Sequence, residues 1–328
     1  MYSEIMVFWE GKFVEDILKT YDLTKEFKKF CAVKNLNMNI KRGDIYGFLG
    51  ENGAGKTTTI RMIMGLVKST SGRVELFSKE YSESDRKILN RIGSMIEYPG
   101  FYPNLTAYEN LEIHRRMIGY PDKSSVINSL KTTGIEDVKN KKVKEFSLGM
   151  KQRLGISRAV LHHPEFLILD EPTNGLDPRG IKEIRELIVD LNKKQGITFL
   201  ISTHILSEIQ QIATKVGIIN KGSLLEEISY DEIQKKNRQY IRIKVDDDRK
   251  AIVNLEEKFK ITDYEVIEKN HIRIYEKLDQ ISHINKMLVS NNIEVFEMCI
   301  NRDNLEDYFL NLISRDKSRG FNISKEEI

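Results

Sequence analysis

The octapeptide Gly50-Glu51-Asn52-Gly53-Ala54-Gly55-Lys56-Thr57 carries glycine, lysine and a hydroxyl at the spacing G-x-x-x-x-G-K-[ST]. Glycines allow backbone N–H groups to turn inward around one anion, and a helix starting near Lys56 would aim its positive dipole end at the same point. The Lys56 ammonium then reaches the β- and γ-phosphates of a nucleotide, while Thr57, followed by Thr58, offers its hydroxyl to Mg²⁺. A second group, Phe166-Leu167-Ile168-Leu169-Asp170-Glu171, is an apolar strand ending in two carboxylates. If that strand lies beside the glycine loop, Asp170 can hold the metal's hydration shell and Glu171 can take a proton from an attacking water. On its own such a strand end is common; the phosphate loop gives it a partner.

These groups need a scaffold that brings separate strand ends together. Ile45–Leu49 reads as a buried strand broken by Gly50, and a helical pattern through Thr58, Ile60, Met62, Ile63 and Leu66 follows it. Phe166–Leu169, Thr198–Ser202 and Val216–Ile219 are further buried-strand runs, with amphipathic helices at Gly180–Asn192 and Ile205–Ala213 between them. That rhythm predicts a parallel α/β core over about residues 14–226. Between Pro99 and His163 strand runs vanish and helical periods dominate, so a helical subdomain over about 99–163 is expected.

The motifs occur in one order that resembles the ATP-binding subunits of ABC transporters. Phe146-Ser147-Leu148-Gly149-Met150, followed by Lys151-Gln152-Arg153, is similar to that family's L-S-G-G-Q-x-Q-R signature, with Leu148 where glycine is usual and Met150 where glutamine is usual. Asn174-Gly175-Leu176-Asp177 resembles the D-loop, and Ser202-Thr203-His204 the switch histidine. The resemblance implies a P-loop ABC-type ATPase core that binds ATP and Mg²⁺. Two such subunits, identical or different, would pair head to tail, with ATP between the P-loop of one and Ser147 and Gly149 of the other. His204 would contact the γ-phosphate and hold the water that Glu171 deprotonates. For adenine stacking Phe27 has the family's offset to Gly50 and is favoured as the platform; Phe30 is a weaker candidate, and a core residue is the alternative reading of either.

In Ile92-Gly93-Ser94-Met95-Ile96-Glu97, Glu97 stands where most of the family has the Mg²⁺-contacting glutamine of the Q-loop. With the signature as it stands, this resembles the bacitracin and lantibiotic export and immunity subgroup, and implies a separate polytopic membrane permease and a place at the cytoplasmic face of the membrane. Tyr98, Phe101, Tyr102 and Tyr108 then either line a permease groove or form a satellite core. The alternatives are an exporter of another drug or a lipid-like molecule, or a relative acting on nucleic acid or ribosomes.

Composition bears on those alternatives. The 328 residues carry 52 Lys+Arg against 49 Asp+Glu, a net charge of +3 that gives no general cationic field for nucleic acid. No apolar stretch approaches the ~18 residues of a membrane-spanning helix. Cys31 and Cys299 have no metal spacing and read as buried thiols of a reducing compartment. His114, His162, His163, His271 and His283 read as core histidines. Met1–Phe13 is expected either to be an upstream reading of the frame, with Val14 as a GTG start, or a short ordered arm.

From 227 to 328 the composition shifts and a new pattern begins. Strand 240–245, helix 249–259, strands 264–267 and 272–275 about a Lys269-Asn270 turn, helix 281–288 and strand 293–299 give the order βαββαβ. This predicts a small α+β accessory domain of ferredoxin-like type, closed by a helix presenting Leu305, Phe309, Leu312 and Ile313.

Overall fold

The computed structural model describes residues 15–28, 30–82, 86–97, 100–229 and 239–302, with positions 232 and 312. The chain separates into two compact units, 1–230 and 231–328.

In the first unit a six-stranded sheet runs in the order β11 (Ser223–Ser229), β10 (Lys215–Asn220), β4 (Ile45–Leu49), β9 (Thr198–Thr203), β8 (Phe166–Asp170), β7 (Ile92–Met95). All its pairings are parallel except that of β11 with β10. Every residue of β4, β8 and β9 is buried, which is why these strands appear as unbroken apolar runs. A second, antiparallel sheet joins β2 (Phe30–Leu36), β1 (Asp16–Phe27), β5 (Ser71–Leu76) and β6 (Lys79–Glu80), with β3 (Asn39–Lys41) also on β1. Leu18, Leu23 and Val33 of this sheet share a core with Tyr46, Phe48 and Phe166 of the first and with Ile60 and Ile63 of helix α1 (Lys56–Ile63).

Helices α2 (Ala107–Met117), α3 (Ser124–Thr132) and α4 (Leu148–Val160) enclose their own cluster, including Leu111, Val126, Leu130, Phe146 and Leu154. Helix α2 begins with a reciprocal capping box between Thr106 and Glu109. Phe101 and Tyr108 pack against this cluster, whereas Tyr102 is exposed and Tyr98 lies outside the described residues. Helix α5 (Pro178–Gln195) starts at an Asp177 cap with proline in its first turn and ends at Gly196 in left-handed geometry. Helix α6 spans only Leu206–Ile209, against the longer Ile205–Ala213 expected; beyond it the Ile212 N–H closes a tighter turn onto the Ile209 carbonyl.

The second unit has β12 (Gln239–Val245), a helix Asp248–Phe259, β13 (Tyr264–Glu268), β14 (His271–Ile274), a helix Ile281–Ser290 and β15 (Val295–Arg302). Its antiparallel sheet is ordered β13-β14-β12-β15, the ferredoxin-like arrangement. Ile241, Ile243, Ile272 and Ile274 alternate onto one face and meet Ala251, Leu255, Ile284 and Leu288 of the helices. Asn270 takes φ 68° in the hairpin turn.

Several expectations need correction. Strand β11 continues to Ser229, past the expected limit at 226, because Ile228 is buried and pairs with Val216. Cys31 and Cys299 are half-buried. His163 and His283 are exposed, His163 in a turn at φ 54°, so neither is a core histidine. Residues 1–13, Val14, and Leu305, Phe309 and Ile313 of the expected closing helix lie outside the described residues.

Candidate nucleotide site

The loop after β4 turns through Gly53 at φ 82° and Gly55 at φ 108° before α1 begins at Lys56. A Cβ at Gly50 would stand 2.5 Å from the Ile219 carbonyl oxygen, and one at Gly55 would stand 2.6 Å from that of Ala32, so both positions exclude larger residues. Glu51, Asn52 and Gly53 form an exposed crest, Ala54 is buried beneath it, and Thr57 and Thr58 are half-buried. Helix α1 contains no acid in its first turn, which leaves its positive end available to an anion.

Lys56 is 6% exposed; its Nζ donates to the carbonyls of Gly50 at 2.7 Å and Glu51 at 3.2 Å and lies 3.2 Å from Glu171 Oε1. The other Glu171 oxygen, Oε2, lies 2.8 Å from His204 Nδ1. Thr57 Oγ1 donates to Asp170 Oδ2 at 2.9 Å, and the Ser202 hydroxyl donates to Asp170 Oδ1. Ser202 Oγ in turn accepts from the Glu171 N–H at 3.0 Å. Parallel pairing of β8 with β9, in register from Phe166 with Thr198 to Asp170 with Ser202, brings these groups together. Glu171 itself adopts φ 50°, a left-handed conformation sparsely used by residues with a side chain, which turns its carboxylate out of the strand toward Lys56 and His204.

The structure therefore gathers Lys56, Thr57, Asp170, Glu171 and His204 at one sheet end. Thr57 and Asp170 fit Mg²⁺ by their chemistry: a hydroxyl oxygen and an ionisable carboxylate in contact are hard donors, and Mg²⁺ typically takes only one or two protein ligands alongside water and phosphate. Among the described residues no cluster of three acidic, histidine or cysteine side chains surrounds a metal position. Glu97 has φ 58° and is ion-paired with Arg61 of α1, one helical turn beyond Thr57.

Ser147 and Gly149 stand elsewhere. Ser147 caps α4, accepting from the Met150 N–H at 3.3 Å, and both line a cavity of about 460 Å³ with Leu148, Gly175 and Leu176. Leu148 packs over Gly175: a Cβ there would lie 3.1 Å from its Cδ2. Phe27 and Phe30 face each other across the β1–β2 hairpin, 47% and 63% exposed, so neither is core; Lys25 Nζ lies 4.8 Å from the Phe27 ring centroid. Sequence reasoning missed Ser202 as the link between the two carboxylates, and also Thr173, whose hydroxyl donates to the buried carboxylate of Glu208. Only the hydroxyl near the end of the apolar strand β9 hinted at Ser202, and no local signal marked Thr173.

A glycine loop before a helix, a lysine within it, and a carboxylate pair at the end of a parallel strand one place removed in the same sheet define a P-loop ATPase. The ABC transporter family model matches residues 33–174. The bacitracin transport ATP-binding protein BcrA of Bacillus licheniformis is 54% identical over 90% of this chain and 97% of its own length, and BcrA of Enterococcus faecalis is 43% identical over 92% and 97%. The lantibiotic transport ATP-binding protein SrtF of Streptococcus pyogenes is 44% identical over 66% of this chain and 92% of its own. Among solved structures, the dimeric post-hydrolysis state of the ATP-binding cassette MJ0796 bound to ADP and Pi matches with TM-score 0.59 and 27% identity, over 65% of this chain and 98% of that one. The chain belongs to the family of ABC transporter ATP-binding subunits.

Proposed function

We propose that this chain hydrolyses ATP to drive export of, or immunity to, a peptide antibiotic of the bacitracin or lantibiotic type, working with a separate polytopic membrane subunit at the inner face of the membrane. The observation that carries the catalytic part is the contact of Glu171 with both Lys56 and His204. The substrate class is supported by the near full-length similarity to two bacitracin transport subunits. Among the described residues no helix is long and apolar enough to cross a membrane, consistent with translocation residing in another chain.

In this reading the P-loop amides and Lys56 hold the phosphates, and Thr57 and Asp170, with Glu97 contributing, hold Mg²⁺, which when bound offsets phosphate charge. Glu171 takes the proton of the attacking water, and His204, hydrogen-bonded to it, fixes its orientation. Two copies, or this chain and a related one, pair so that Ser147 and Gly149 of each reach the nucleotide held by the other, and Phe27 or Phe30 stacks on the adenine. Both phenylalanines are exposed, as a stacking platform requires.

The test is expression of the chain together with the polytopic membrane subunit proposed as its partner in a sensitive host. The wild type should raise bacitracin resistance and the Glu171→Gln variant should not. Normal ATP turnover with no resistance to bacitracin or any lantibiotic would remove the substrate assignment while leaving the ATPase in place.

A further inference from the structure

Between α3 and α4 the chain carries Lys139-Asn140-Lys141-Lys142-Val143-Lys144, a run of lysines with no acid inside it. Val143 is 3% exposed and packs in the cluster that holds Leu111 and Phe146, which anchors the run to the helical layer. The backbone of the run lies antiparallel to the segment that opens α2. There the Val143 N–H donates to the Leu105 carbonyl at 3.0 Å, the Lys144 N–H to that of Pro103 at 2.9 Å, and the Tyr108 N–H to that of Lys139 at 3.0 Å. These bonds set Lys141, Lys142 and Lys144, all exposed, beside exposed Pro103 and Tyr102, the latter 58% exposed. Among the described residues no carboxylate lies within ion-pair distance of Lys141, Lys142 or Lys144, while Lys139 lies 3.9 Å from Glu136. Glu109, on which Lys142 acts, is already engaged by the Thr106 N–H at 2.7 Å and the Thr106 hydroxyl at 2.9 Å. Asp137 and Glu145 are exposed on either side of the run.

We propose that Lys141, Lys142 and Lys144, with Tyr102, form a surface that binds the anionic lipid headgroups of a membrane. The charge is complementary, and its form suits lipid. A lysine ammonium is a compact, hydrated point charge on a flexible stem, able to follow mobile phosphates without the fixed geometry that a protein ion pair demands. The stems can lie along apolar surface while the heads stay in water. A tyrosine has an apolar ring and a polar tip, the combination that settles at headgroup level.

Each such lysine near an anionic leaflet tightens binding by roughly fivefold, and the attraction fades within about 10 Å at 0.1 M salt. The contact is therefore shallow, reversible and dependent on ionic strength. Its effect on the chain follows from the anchoring. Phe146, 5% exposed, and Ser147, the cap of α4, come directly after the run, and the run is bonded to the start of α2. Lipid contact would fix how this helical layer is oriented toward the membrane. The inference goes beyond the transport reading and needs no membrane subunit to be tested.

The experiment sediments the full chain with vesicles of equal parts phosphatidylglycerol and phosphatidylcholine, and with vesicles of phosphatidylcholine alone. The wild type should bind the first and not the second, and should be released as salt rises from about 0.1 to 0.5 M. Lys141→Gln, Lys142→Gln and Lys144→Gln together should weaken binding about a hundredfold, leaving ATP affinity and the melting temperature unchanged, whereas the same three positions changed to Arg should retain it. Tyr102→Ser should weaken binding by about threefold with the salt dependence unaltered. Lys182→Gln, Lys193→Gln and Lys194→Gln on α5 remove the same three charges and should bind as the wild type does. Equal binding to both vesicles, or equal loss from the two triple variants, overturns the proposal. So does a wild type that ignores the anionic vesicles while the Lys141, Lys142 and Lys144 variant loses stimulation by the membrane subunit, since the lysines then serve a protein. Neither antibiotic nor membrane subunit enters the vesicle measurement, so a failed resistance assay counts against the transport reading alone.

Discussion

Lys56 Nζ lies 3.2 Å from Glu171 Oε1, so the proposed base is ion-paired with the lysine proposed to hold phosphate. The same ammonium donates to two backbone carbonyls, and an ammonium has three donors in all. A phosphate reaching Lys56 must therefore displace an existing partner, and the one attached to a mobile side chain is Glu171. Engaging phosphate would release Glu171 toward water at the point where a base is needed.

From this pairing, Glu171→Gln should bind ATP at least as tightly as the wild type, since a competing negative charge near the phosphates is gone. Hydrolysis should fall about 100-fold or more with the base removed. Nucleotide titration and phosphate release measure the two effects, and size-exclusion chromatography with ATP should show an accumulated dimer. Turnover at the wild-type rate would take Glu171 out of this role.

Behind the site, the Thr173 hydroxyl donates to Glu208, whose residue is 8% exposed. This bond ties the segment after Glu171 to the segment after His204, making Glu208 a positioning residue. Glu208→Ala should lower kcat about tenfold, the scale of one misplaced catalytic contact, with KM for ATP little changed. Glu208→Gln, still able to accept from Thr173, should recover most of the rate. A change confined to thermal stability would show the contact to be structural only.

Glu97 is ion-paired with Arg61, and its side chain is 62% exposed. An exposed pair contributes about 0–1 kcal/mol, so the fold should survive Glu97→Gln. If Glu97 also contributes to Mg²⁺, the variant should shift the Mg²⁺ concentration giving half-maximal ATPase activity, whereas Arg61→Gln should shift it less or in the opposite direction. Superimposable Mg²⁺ titrations for all three proteins would leave Glu97 with the ion pair alone.

Truncation should be sensitive to four residues. Glu227 accepts from the Tyr46 hydroxyl at 2.7 Å and lies 2.9 Å from Lys215 Nζ, and Ile228 is 2% exposed. A chain ending at Tyr230 should fold and hydrolyse ATP. One ending at Glu226 should lose about 3 kcal/mol or more, from the missing apolar side chain and the stranded Tyr46 hydroxyl. Denaturant unfolding of the two fragments makes the comparison, and equal midpoints would show that the end of β11 contributes nothing.

The sequence by itself determined the parallel core, the P-loop, the carboxylate pair and the order of elements in the second unit. Those features are local in the chain: a strand buried on both faces must be a continuous apolar run, and a phosphate loop needs glycine at set intervals. The antiparallel sheet of the first unit was not legible, because β1 breaks its alternation at Asp22, φ 46°, and shifts register between Leu23 and Lys25. Only the tertiary structure decided which partners the site residues take. Glu171 meets Lys56 across 115 positions of chain, Asp170 shares Ser202 with it, and Glu97 turns to Arg61. Each of these contacts depends on strand register and helix placement, which are set by burial summed over the whole core and leave no mark at the individual residue.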